Sequence, residues 1–249
     1  MTRRLPDEAP AEFLTRVLPG PADLAEAAAR EVADTASAAV TDRGRFCIAL
    51  AGGSTPRALY ERLAKSHFRK GIPWTRSLFF WGDERCVSPR SPRSNYRMAR
   101  ESLLAPLRIP PAQVFRMRGE IDPGRAAHLY RDVLAKEFGP GPPVLDLVLL
   151  GVGPDGHTAS LFPETRALSE DRRAAVENWV PKLREWRLTL TYPAINAARR
   201  VLFLVSGSEK AEVVARILKK ERGYRRLPAA GVRAMSVLWM LDEEAGALL

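Results

Sequence analysis

The 249-residue chain predicts an α/β fold with a mostly parallel, doubly wound sheet and helices on both faces. Two observations carry that expectation. Short, nearly continuous apolar runs alternate with amphipathic helical segments, the pattern of parallel strands buried on both faces. Four of those runs, moreover, are followed at once by a small polar cluster: "GGST", "GDER", "GPDGHT" and "SGSEK". In open α/β sheets the ligand crevice lies beyond the carboxyl ends of the strands, so four such clusters converge on one place.

The elements follow in order. "PADLAEAAAREVADTASAAVTDRG" (21–44) opens with Pro and Asp and closes on Gly44, the start and stop signals of a helix. "RFCIALA" (45–51) is a strand, and "GGSTPRALYERLAKS" (52–66) a glycine loop turning into a helix with Leu59 and Leu63 four apart. "SLFFWGDERCV" (77–87) is a second strand ending in charges, followed by a helix over 94–107 and another over 125–139, stopped by Gly139. Residues 144–153 and 199–207 are further buried strands, 208–220 the helix after the latter, and 236–249 a last strand with a short helix. With no internal repeat or low-complexity linker, we expect one domain over 1–249.

Composition narrows the function. No stretch approaches 18 apolar residues, so no transmembrane helix and no membrane partner is expected. "MTRRLPDEAPAEF" lacks the apolar core of a secretory signal. Cys47 and Cys86 make no disulfide framework and read as reduced residues of a cytoplasmic protein. The net charge of +10 raises nucleic-acid binding, but the basic residues are scattered and no zinc-finger or RNP-type signature appears. Steering of anionic small molecules is the reading we adopt.

The clusters then read as chemistry. In "AGGSTP", Gly52 and Gly53 free the backbone, Ser54 and Thr55 add hydroxyls, and Pro56 starts a helix. This is either an anion cradle at a helix N-terminus or a plain strand-to-helix turn; the Walker and dinucleotide spacings are both absent. Lys210 after one strand and Arg187 entering another suit a phosphate, though either alone is commonly a solvated charge. Asp83, Glu84 and Arg85 sit together at the end of the second strand, as sugar ligands or as an ion pair of little worth. His157 follows the turn Pro154–Asp155–Gly156. Alone it would read as a loop residue; beside an anion cradle it reads as a general base with Asp155 fixing its tautomer. His67 and His128 lie on separate helices without ligand spacing, so neither a metal nor a cofactor is expected.

Three blocks, "LAGGSTPRALYERLA", "FFWGDERCVSPRSPRSNYRMARESLL" and "LDLVLLGVGPDGHTASLFP", resemble the signatures of the 6-phosphogluconolactonase family, and "RLTLTYPAINAARRVLFLVSGSEKA" fits the same pattern. The resemblance runs from about residue 20 to the end. It implies a Rossmann-like fold shared with glucosamine-6-phosphate deaminase and metal-free hydrolysis of a phosphorylated sugar lactone, 6-phospho-D-glucono-1,5-lactone. By that resemblance His157 activates water and Asp155 orients it, in a loop completed by Gly156. Gly52, Gly53, Ser54, Thr55, Arg187 and Lys210 hold the phosphate, and Asp83, Arg85, Asn95 and Arg97 border the ring. It assigns no role to Lys182 or Arg184, and a monomer is expected. The deaminase, the nearest alternative, carries a glutamate five positions after its histidine and a tyrosine in place of Arg85; here the fifth residue is Phe162.

Overall fold

The structure, a computed structural model, describes residues 12–249. Its first strands are β1 (Glu12–Leu18), β2 (Phe46–Leu50), β3 (Ser77–Trp81) and β4 (Asp83–Arg85). There follow β5 (Leu147–Leu150), β6 (Ala175–Val180), β7 (Glu185–Leu190), β8 (Arg200–Val205) and β9 (Ser236–Asp242). Six of them form one sheet in the order β1-β9-β8-β5-β2-β3, with every neighbouring pair parallel. The central strands β2 (FCIAL) and β5 (LVLL) are buried at every position, as a sheet covered on both faces requires.

The main helices are α1 (Pro21–Arg43), α2 (Ser54–Leu63), α3 (Ser66–Gly71), α4 (Asn95–Ala99) and α5 (Pro123–Phe138). They continue with α6 (Tyr192–Asn196), α7 (Ala211–Leu218) and α8 (Glu243–Gly246). Helix α1 starts with Pro at its first position and stops where Gly44 takes a left-handed φ of 75°. Its buried stripe of Leu24, Ala28, Ala29, Val32, Ala36 and Ala39 is mostly alanine, so the helix approaches the sheet closely. The chain moves towards the β3 edge through α1 and α2, and back across β2 and onward through α5 and α7. Right-handed crossovers therefore place α1 and α2 on one face and α5 and α7 on the other. The direction reverses between β2 and β5, and that is the switch point where the sheet leaves a crevice.

Two features depart from the expectation. Strand β1 pairs in register with β9 along its whole length, although the sequence gives no sign of a strand there. It is an edge strand whose Phe13, Leu14 and Val17 stay exposed, so its residues lack the alternation that marks a half-buried strand. The segment 77–87 is also two strands, not one. Gly82 separates them: its N–H donates to the Leu50 carbonyl in the main sheet, and its carbonyl accepts from Leu190 N–H in the other. Beyond it β4 joins β7 and β6 in a small antiparallel sheet. The expected helix over 94–107 is α4 continued by a wider, π-type turn over Arg100–Leu104. One buried apolar cluster runs through both sheets, from Leu24 and Phe46 to Val176 and Leu190. The reading of the N-terminal segment as lacking a secretory signal falls largely outside the described residues.

At the carboxyl edge of the sheet the strands splay, and two buried phenols take over the hydrogen bonds the ladder no longer supplies. Tyr60 Oη accepts from Ala51 N–H and donates to Ala51 C=O, both at 2.9 Å. Tyr130 does the same for Trp81, at 2.9 and 3.0 Å. Burial raises both phenol pKa values, keeping the protons these bonds need. Tyr60→Phe and Tyr130→Phe each strand a buried N–H and C=O. Each is expected to lower unfolding stability by about 1–3 kcal/mol, read from urea midpoints at constant m-value.

Candidate active site

A cleft of about 380 Å³ lies at the switch point between β2 and β5. Its floor is the loop after β5. Thr158 Oγ1 donates to the Gly151 carbonyl at 2.8 Å, Gly153 N–H donates to the His157 carbonyl at 2.8 Å, and Gly156 N–H returns to Gly153 O. Two glycines are needed here for different reasons. A Cβ on Gly153 would sit 2.0 Å from His157 Nδ1, whereas Gly156 has a φ of +77° and the Leu227 side chain against its Cα. The loop is thereby wound tightly enough to bring Asp155 back onto His157.

Asp155 Oδ1 lies 2.5 Å from His157 Nδ1 and also accepts the His157 backbone N–H at 3.2 Å. With the carboxylate on Nδ1, that nitrogen carries the ring proton and Nε2 presents its lone pair. Burial pulls the imidazole pKa below its ordinary value, against the opposing pull of Asp155, so the ring is neutral near pH 7. Burial would raise the Asp155 carboxyl, but hydrogen bonds from Lys182 and His157 outweigh it and bring it down to about 2. Phe162 lies flat against the imidazole, with ring centroids 4.0 Å apart and planes 19° apart.

Gly52, Gly53, Asp83, Arg85 and Asn95 line the cleft together with His157, Arg187 and Lys210. Gly53, at a φ of +107°, precedes the first turn of α2, which no side chain caps, leaving its N–H groups to a ligand. The wall there is backbone; Ser54 and Thr55, on the first turn of α2, stand outside the lining. Gly52 must lack a Cβ because Asn95 Oδ1 would lie 2.0 Å from it. Lys210 ends a single helical turn before α7 on a loop held by Asp242, which accepts from Gly207 N–H at 3.1 Å and from Ser206 Oγ.

Arg85 and Arg187 are cross-strand partners on β4 and β7. Both Nε atoms are buried with no hydrogen-bond partner among the described residues. Burial, and then the neighbouring Arg85 charge, lower the Arg187 pKa. Two guanidiniums held side by side with unmet donors are costly unless an anion completes them.

One expectation is not met by this geometry. Arg97 points away from the ring site: its Nε bonds Glu101 at 2.7 Å and its Nη1 bonds the Arg90 carbonyl. On the short helix α4 the i,i+4 carboxylate is nearer than the cleft. Asp83 lines the cleft, and its Oδ1 accepts from Asn95 Nδ2 at 3.0 Å and its Oδ2 from Ser160 Oγ at 2.7 Å. The acid that organises this corner is Glu84, read from the sequence with Asp83 and Arg85 as a sugar ligand or an ion-pair member. It accepts from the N–H groups of Arg85, Asn95 and Tyr96 and from Ser94 Oγ, and burial still raises its pKa. Lys182, without an assigned role, bonds Asp155 Oδ2 and lies 4.9 Å over the Phe162 ring. Only the pairing of β6 with β7 carries it there from 27 residues away, and no local spacing announces it.

Neither thiol is a nucleophile: burial pushes Cys47 up to about 12 and Cys86 up to about 11. Among the described residues no three His, Cys, Asp or Glu side chains gather where they could hold a metal ion, and no helix is long and apolar enough to cross a membrane.

A doubly wound sheet with a histidine–carboxylate pair and clustered cations at its switch point describes a sugar-phosphate-handling α/β protein. The chain belongs to the family of glucosamine-6-phosphate isomerases and 6-phosphogluconolactonases, whose profile matches residues 19–239. A 6-phosphogluconolactonase of Synechocystis is 44% identical over 214 residues, spanning 84% of this chain and 86% of its own. The structure of 6-phosphogluconolactonase from Trypanosoma cruzi superposes with a TM-score of 0.84 at 30% identity, over 98% of this chain and 99% of that one. A monomeric glucosamine-6-phosphate deaminase shares the fold, at 23% identity, a TM-score of 0.78 and coverage of 96% and 100%.

Acid stability follows from the depressed Asp155 carboxyl. A group whose folded pKa lies below its unfolded value adds stability that is present above the unfolded pKa, about 3.9, and is lost as pH falls through the folded one. Asp155→Asn is therefore expected to flatten the fall in stability between about pH 4 and the folded value near 2. Denaturant titrations across that window check it.

Proposed function

We propose that the chain hydrolyses 6-phospho-D-glucono-1,5-lactone to 6-phospho-D-gluconate, with His157 as general base and without a metal or other cofactor. The observation that carries the reading is His157, held by Asp155 through Nδ1 and lining the same cleft as the paired Arg85 and Arg187. Nε2 takes a proton from water as the water oxygen bonds to the lactone carbonyl carbon. The bond from that carbon to the ring oxygen then breaks, and the imidazolium returns its proton to the departing oxygen. The product is an open hydroxy acid whose carboxyl ionises to solvent.

The substrate is anionic at its 6-phosphate, which suits Arg187, Lys210 and the free N–H groups after Gly53. Deaminase chemistry is the poorer fit. It needs a second proton-transfer group beside the histidine, and the apolar Phe162 ring fills that place. We read the protein as a monomer acting in the cytoplasm, with no nucleic-acid partner.

The test is a lactone-hydrolysis assay at a pH where spontaneous opening is slow. His157→Ala is expected to lose roughly 10²–10⁴-fold in rate, the usual worth of a positioned base. Full activity in that variant would remove His157 from the mechanism, and ammonia release from glucosamine 6-phosphate would favour the deaminase. Gluconolactone without its phosphate should be a much poorer substrate, and Lys210→Ala should narrow the gap between the two.

A further inference from the structure

Asp155 does two opposed things to His157. Its hydrogen bond to Nδ1 fixes the tautomer that leaves Nε2 free, yet its negative charge favours the imidazolium, which is no base at all. An Asp–His pair alone therefore trades orientation against basicity at neutral pH. The structure supplies a third member. Lys182 stands on the single helical turn Pro181–Leu183 between β6 and β7, and its ammonium bonds the Asp155 oxygen that faces away from the histidine.

We propose that Lys182 is a positioning residue whose charge offsets that of Asp155, so that this carboxylate sets the tautomer of His157 without converting it to a cation. The inference rests on the reading of His157 as a base. Three observations support it. Asp155 Oδ1 is anchored twice within its own loop, by the ring and by the backbone N–H of His157, so Lys182 is not required to keep it in place. What Lys182 adds is charge, and its effect on the imidazole opposes that of Asp155. Finally, Phe162 carries the imidazole on its face and the Lys182 ammonium 4.9 Å from its centroid. An apolar shelf at 162 gives Lys182 no second carboxylate to turn to, whereas a glutamate there would compete for it.

The other charges facing His157 do not replace it. Asp83 on β4 favours the imidazolium but has both oxygens engaged by Asn95 and Ser160. Arg85, Arg187 and Lys210 line the same cleft from β4, β7 and the turn before α7, where the proposed substrate phosphate would claim them. Phe162 contributes no charge.

The test reads the histidine directly. The chain has three histidines, so the ring signals are few enough to follow by NMR across a pH titration, with His67 and His128 on α3 and α5 as internal references. Lys182→Met is expected to raise the His157 pKa by about one unit, a tenfold gain in proton affinity, because Asp155 is then opposed by burial alone. Lys182→Arg keeps the charge and is expected to hold the value near that of the wild type. In the lactone assay the acidic limb of kcat/KM against pH should move up by the same amount in Lys182→Met and not in Lys182→Arg. Lys182 lies on an exposed turn with its side chain half exposed, so both variants are expected to fold. An unmoved or lowered His157 pKa in Lys182→Met overturns the inference whatever the activity. A raised pKa in a protein without lactonase activity leaves the inference standing and overturns the proposed function.

Discussion

A parallel sheet cannot end cleanly. Its strands splay at the carboxyl edge, the ladder stops, and backbone groups that face a cleft rather than bulk water still need partners. In this protein the side chains that answer that demand also shape the site. Tyr60 closes the end of β2 at Ala51, one residue before the glycine loop; Tyr130 closes the end of β3 at Trp81, one residue before Gly82. Thr158 takes the Gly151 carbonyl after β5, and Asp242 takes the Gly207 N–H after β8. Each cleft loop leaves a strand whose last peptide is fixed, so rigid elements set the positions of the polar groups.

Gly82 extends the same logic to the second sheet. One residue serves both sheets, with its N–H in the large one and its carbonyl in the small one. The small sheet is thereby held against the cleft, and it delivers Arg85, Arg187 and Lys182. The large sheet supplies His157 and the glycine backbone at the start of α2; the antiparallel sheet supplies most of the side-chain cations of the cleft. Its placement explains why two arginines remain underbonded in a folded protein. Their side chains line the cleft while their Nε atoms stay buried without a partner among the described residues, held in place by the β4–β7 pairing.

The polar clusters after β2, β3, β5 and β8 were legible in the sequence because each is local. A strand's burial makes it apolar, and the loop that follows must turn within a few residues, so glycine, proline and hydrogen-bonding side chains mark the place. Gly52, Gly53, His157 and Lys210, which line the cleft, and Asp155, which bonds His157, all stand in such loops. The contact of Lys182 with Asp155 was not legible, because it depends on the pairing of β6 with β7. Asn95 lines the cleft and Arg97, two residues on, does not, since a helix turns successive side chains about 100° apart.

The sequence by itself determined the alternation of buried strands and helices, the parallel sheet and the loops from which a site had to be built. These are properties of short windows, set by burial and by the chemistry of turns. The tertiary structure decided what those windows could not contain: the edge strand β1, the division of 77–87 at Gly82, the antiparallel sheet, and the meeting of Lys182 with Asp155. All four depend on hydrogen bonds or ion pairs between residues distant in the chain. Such contacts are fixed by topology, and no local pattern of residues encodes them.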